Sequence, residues 1–100
     1  MAIEGTGEEL ALGALSDDLL TRDYRVFQRK KGHRFSSDDV ATAYVAFEAA
    51  GGATRAVDLG CGLGSVLLIL AWKMPEAKLS GVEAQAVSFE LLRRNVARNG

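Results

Sequence analysis

The run Asp58-Leu59-Gly60-Cys61-Gly62-Leu63-Gly64 places glycine at three alternate positions, two residues after an acid. No regular element accepts that spacing, because glycine weakens helix and strand interiors alike and suits a backbone that must turn sharply. An apolar segment precedes it ("TRAVDL") and a nearly all-apolar one follows ("GSVLLILAWKM"), stopped by Pro75. The first predicts a short strand; the second predicts a buried helix ended by the proline. Strand, glycine turn and helix are the opening of a parallel α/β unit.

The rest of the unit is legible downstream. "AKLSGVE" (Ala77–Glu83) predicts a second strand, and "QAVSFELLRRNVARNG" an amphipathic helix with Val87, Leu91 and Val96 on or near one face. Upstream, "DYRVFQ" predicts a strand that turns at "RKKG" and returns through "HRF". A helix should follow, capped by Ser36 or Ser37 and ended at Gly51-Gly52, with Val40, Tyr44 and Phe47 on its apolar side. Residues 1–15, with three glycines, read as a mobile or irregular leader. The organisation expected is a leader over 1–15, a hairpin and helix over 16–52, and the start of an α/β domain over 53–100.

A ligand lying across the carboxyl end of such a strand meets bare backbone at Gly60, Gly62 and Gly64, and the N–H groups that open the next helix. The spacing fails the dinucleotide fingerprint, whose sixth position is here Ser65, and this disfavours a nicotinamide enzyme. Glu83, nineteen residues beyond Gly64, falls at the end of the second strand. An acid there can accept hydrogen bonds from both hydroxyls of a ribose.

Charge and cysteine content narrow the classes. A net charge of −1 gives no global attraction to nucleic acid or acidic membranes, yet the charge is unevenly placed. Residues 24–34 carry Arg25, Arg29, Lys30, Lys31 and Arg34 with no acid, whereas the first 23 residues are acidic apart from Arg22. The lone Cys61 cannot form an internal disulfide, which makes a reducing cytoplasm the expected compartment. With no second cysteine or partner histidine it is no metal or nucleophile candidate, and no metal is expected.

"VDLGCGLG" followed by "GVEAQ" resembles the first and second motifs of class I S-adenosylmethionine (SAM) methyltransferases. The upstream "FQRKKGHRFSSDDVATA" is similar to the segment preceding the first motif in bacterial adenine-N6 methyltransferases acting on valine tRNA, of the small-methyltransferase group. Gln28, Gly32, Arg34, Phe35, Ser36 and Asp38 match that pattern, while His33 replaces its usual aromatic. The resemblance implies an incomplete Rossmann-like methyltransferase fold: two parallel strands with their helices, preceded by a small hairpin and helix. It implies that Asp58, Gly60, Cys61, Gly62 and Gly64 line the methionine half of SAM, with Asp58 near its ammonium group. Glu83 would hold the ribose, Ala84 and Gln85 flank the adenosine, and Phe35 and Asp38 close the site.

It further implies methyl transfer to an amino nitrogen, adenine N6 of tRNA first, with protein glutamine or ribosomal guanine as alternative acceptors. Arg29, Lys30, Lys31 and Arg34 would touch RNA phosphates, or simply form a solvated hairpin tip. The group's substrate motif, Asn-Pro-Pro-Tyr, does not occur, Pro75 being the only proline. The expectation is therefore a cofactor-binding portion without a catalytic residue of its own and inactive alone. A non-catalytic module completed by a partner chain at its open sheet edge is the alternative.

Overall fold

A computed structural model describes residues 1–5 and 12–100. Its elements run β1 (Ala2–Glu4), β2 (Leu15–Thr21), β3 (Tyr24–Arg29), α1 (Ser37–Ala50), β4 (Arg55–Leu59), α2 (Ser65–Lys73), β5 (Lys78–Val82) and α3 (Ala86–Asn99). The expected α/β architecture is present, with β4 and β5 parallel in the register Ala56↔Leu79 and Asp58↔Gly81.

Helix α2 is the centre of the molecule. Leu67, Leu68 and Ile69 are at most 2% exposed, as an all-apolar helix requires. Leu67, Ile69 and Leu70 join Ala43 of α1, Leu79 of β5 and Leu92 of α3 in one apolar cluster. Leu68 joins Val26, Leu63 and Leu91 in a second, beneath the hairpin. Ser36 caps α1 as expected, its side chain accepting from the Asp38 N–H at 3.2 Å. The buried residue of α1 is Ala43, and Tyr44 of the predicted stripe is exposed with its ring over the Lys73 ammonium.

Two segments depart from the sequence expectation. The partner of β3 is β2, upstream, in an antiparallel hairpin turning at Arg22-Asp23, and "HRF" is loop. Arg22 takes a φ of 51°, outside the usual range for a side-chain-bearing residue. Acids in the middle of a strand hide it from pattern reading, yet both have partners here. Asp17 accepts from Arg25 and Arg98, and Asp18 from Ser16, Gln28 and Arg34. The start of the expected irregular leader instead forms β1, parallel to β5, with Ile3 packed on the first cluster. Residues 6–11 of that leader lie outside the described residues, and Leu12 is buried in the second cluster.

The free edge of β3 is closed by side chains rather than by a strand. Asn95 is fully buried; its amide accepts from the Phe27 N–H at 2.6 Å and donates to the carbonyls of Phe27 and Leu63. One turn on, Asn99 treats the backbone of Arg25 the same way. Helix α3 thus presents amides four residues apart to alternate residues of β3, doing a neighbouring strand's work. This seam fixes the hairpin, and the loop after it, above the glycine turn.

Candidate cofactor site

All three glycines of the turn take positive φ: 68° at Gly60, 58° at Gly62 and 101° at Gly64. A Cβ at Gly60 or Gly62 would meet nothing within 4 Å, so these two leave open space above the backbone. At Gly64 it would lie 2.8 Å from Leu92 Cδ1, so this glycine lets α3 pack close. The Gly60 and Cys61 N–H groups both donate to the Val82 carbonyl, at 2.8 and 3.1 Å, lashing the turn to the end of β5.

Glu83 completes the lashing. Its carboxylate accepts from the Gly62 N–H at 2.9 Å on one oxygen and from the Gln85 N–H at 2.8 Å on the other. Glu83 is only 7% exposed, so the charge is held in place by two charge-assisted bonds. Each oxygen retains a further lone pair for an incoming hydroxyl. Ala84 and Gln85 lie exposed just beyond, Gln85 on the rim of a cavity of about 430 Å³ that also takes in Arg29, His33 and Leu63.

A second cavity, about 270 Å³, sits over the turn itself and is lined by Asp39, Thr42, Asp58, Gly60, Gly62 and His33 among others. Among the described residues no lysine or arginine lines it. Burial pushes the Asp58 carboxyl above its ordinary value, since desolvation disfavours its charged form. Burial, with the nearby charges of Asp58 and Glu83, pushes the Cys61 thiol up to about 11. At neutral pH it is protonated, and Cys61 contributes backbone.

The structure gathers Asp58, Gly60, Cys61, Gly62, Gly64, Glu83 and Gln85 at one end of β4 and β5. It does not bring Asp38 there. Asp38 is exposed and lines a separate groove along α1, and the neighbouring Asp39 faces the turn instead. Phe35 packs into the second apolar cluster, and His33 holds the rim position between the two cavities. The phase of α1 decides the first substitution. Asp39 lies one turn before the buried Ala43, and the packing of that face of α1 turns Asp39 rather than Asp38 toward the glycine turn.

Gln28 organises the loop that carries these residues. It is 2% exposed, donates to Asp18 at 2.8 Å and accepts from the Phe35 N–H at 2.9 Å. Arg34 is a clasp, donating to the Arg29 carbonyl, Ser16 and Asp18. Arg29 donates to the Leu12 carbonyl. Of the basic run, Lys30 and Lys31 have exposed side chains without an ion pair among the described residues.

Among the described residues no three His, Cys, Asp or Glu side chains gather as a metal site, and no helix is long and apolar enough to cross a membrane. A family model described as methyltransferase small domain matches residues 33–100. No curated protein and no solved structure matches the chain.

Proposed function

We propose that this chain, which belongs to the methyltransferase small domain family, holds SAM over its glycine turn and serves methyl transfer to an amino nitrogen, adenine N6 of tRNA. Family membership implies SAM-dependent methyl transfer as the class of activity. The residues present fit that cofactor. Gly60 and Gly62 leave room for its methionine tail, Asp58 and Asp39 offer negative charge and no competing cation, and Glu83 keeps lone pairs for the ribose.

The observation that carries the reading is the Glu83 carboxylate, buried and shared between the Gly62 and Gln85 N–H groups. It joins the two halves of the site into one rigid cradle before any ligand arrives, so little ordering entropy remains to be lost on binding. Bound SAM supplies an electrophilic methyl on a cationic sulfur. The chain's own residues bind and orient, so rate would come from positioning. Lys30 and Lys31, exposed beside the loop that walls the site, are the side chains free to meet RNA phosphate.

The test has two parts. Calorimetric titration of the chain with SAM should give saturable 1:1 binding. Incubation with labelled SAM and bulk tRNA, using the protein produced from its whole reading frame, should give N6-methyladenosine on nucleoside digestion. Label in protein glutamine or methylguanosine would overturn the acceptor, and no SAM binding would overturn the cofactor.

A second reading has its own observation. Val57 and Leu59 of β4 are 62% and 78% exposed. That favours a module whose sheet is covered by a partner chain, and it predicts a heterocomplex in which methylation requires both components.

A further inference from the structure

The geometry points to Asp39 as the residue that tells SAM from its spent product, S-adenosylhomocysteine; the inference rests on the SAM reading of the same cavity. Asp39 and Asp58 approach that cavity from different elements, one from the first turn of α1 and the other from the end of β4. Asp39 is held by a bond 2.8 Å long from the hydroxyl of Ser65, the first residue of α2, which is 6% exposed. That bond engages one carboxylate oxygen and leaves the other with no partner among the described residues. A carboxylate is thus fixed on a different element from Asp58, over a turn lined by no lysine or arginine among the described residues.

The two carboxylates meet different parts of the ligand's charge. The ammonium of the methionine tail is present before and after methyl transfer, so an acid paired with it binds both forms. The charge on sulfur is present only before transfer. The family resemblance sets Asp58 beside the ammonium, which leaves the α1 acid to act on the sulfur, and a carboxylate's field across a half-buried cavity is worth far more than in bulk water. Asp39 thus raises affinity for the cationic form and adds little to the hold on the neutral product, which eases exchange after each turnover.

The experiment measures both ligands on three proteins: wild type, Asp39→Asn and Asp58→Asn. Asparagine at position 39 keeps the acceptor for Ser65, so the change removes charge with little else. SAM affinity should fall about tenfold in Asp39→Asn while S-adenosylhomocysteine affinity changes less than about threefold, tenfold corresponding to about 1.4 kcal/mol. Asp58→Asn should weaken both ligands by a similar factor. Equal loss for the two ligands in Asp39→Asn, or no loss for either, overturns the assignment while leaving SAM binding intact. Wild type binding neither ligand overturns the SAM reading itself. Wild type alone gives a check independent of any variant. Raising salt from about 0.05 to 0.5 M should erode SAM affinity more than S-adenosylhomocysteine affinity, and equal erosion counts against Asp39.

Discussion

The two faces of the three-stranded sheet are built from the same strands and behave as different materials. On one face Ile3, Ala56, Leu79 and Gly81 lie against the helices, and Leu79 is 4% exposed. A Cβ at Gly81 would lie 2.7 Å from Leu67 and 2.8 Å from Cys61 Sγ, so α2 is pressed onto the strand. On the other face Val57, Leu59 and Val82 are apolar and open to solvent. Parallel strands are ordinarily covered on both sides. The proposed cofactor site draws on the helical side and on strand ends, where the backbone is tied and packed. The contrast teaches that a ligand cradle needs a tied backbone and one packed face; the second face has another purpose.

If the packed side carries the fold, its polar seam should be the most sensitive place in the molecule. Asn95→Leu would orphan the Phe27 N–H and the carbonyls of Phe27 and Leu63 together. The expected loss is roughly 3 kcal/mol or more, since each buried unsatisfied group costs about 1–3 kcal/mol. A urea titration followed by tryptophan fluorescence measures it. A shift under about 1 kcal/mol would mean that the hairpin is not docked on α3 in solution.

The next effect falls on binding. Glu83→Ala removes the carboxylate that bridges Gly62 to Gln85 and is expected to accept from the ribose. Two charge-assisted bonds at about 1.5–3 kcal/mol each set the scale, less what water restores. SAM affinity should fall about 100-fold by calorimetry, and the urea midpoint should fall as well, because the Gly62 and Gln85 N–H groups lose their acceptor. A variant that binds as wild type would separate the lashing of the turn from recognition of the ligand.

How much of this was readable beforehand follows from where each feature's cause lies. The glycine turn and Glu83 were legible because positive φ and strand-end acids are written directly as residue type and spacing. The α2 core and the Ser36 cap were legible for the same reason. The β2–β3 pairing was not, because the acids that argue against a strand at Asp17 and Asp18 are compensated by Arg98 and Gln28, the former 81 residues away. Nor was the choice of Asp39 over Asp38, since adjacent helix residues point about 100° apart and only the packing of α1 on α2 fixes the phase. Asn95 and Asn99 look like ordinary polar residues on an amphipathic helix. Their role exists only once β3 lies beside them.

Acid titration should separate the site from the scaffold. The Asp58 carboxyl is raised above 3.8 by burial, so it protonates at higher pH than an ordinary aspartate. Asp17 and Asp18 are lowered below 3.8 by their hydrogen-bonding partners, Arg98 and Arg25 for the one, Ser16, Gln28 and Arg34 for the other. Arg93 and Arg94 lower Glu90 to about 2. The signs are opposite. Stabilisation by Asp17, Asp18 and Glu90 is present above their unfolded values and is lost only as pH falls through the lowered ones. The ionised Asp58 costs stability, and that cost disappears as pH falls through its raised value. SAM affinity should therefore decline, by up to about tenfold, at a pH above 3.8 where the urea midpoint still holds or rises slightly. In Asp58→Asn that decline should be absent. An affinity that falls only together with the fold would remove Asp58 from the site.

The smallest thermodynamic effect is expected on the bare face. Leu59→Lys places a charge where the leucine is already 78% exposed, so the monomer loses almost no burial and the urea midpoint should stay within about 0.5 kcal/mol of wild type. Its effect should appear in association. A free β4 edge beside Val57, Leu59 and Val82 offers unpaired backbone groups and apolar surface together, the combination that recruits another strand. Sedimentation of the wild-type chain at rising concentration should show self-association that Leu59→Lys reduces, because a lysine at the edge must be desolvated before a second strand can lie against it. If instead the variant is destabilised by 2 kcal/mol or more, Leu59 is buried in solution. The two faces would then differ only in when they are covered, the helical one by this chain's own helices and the other by a second copy before the fold is stable.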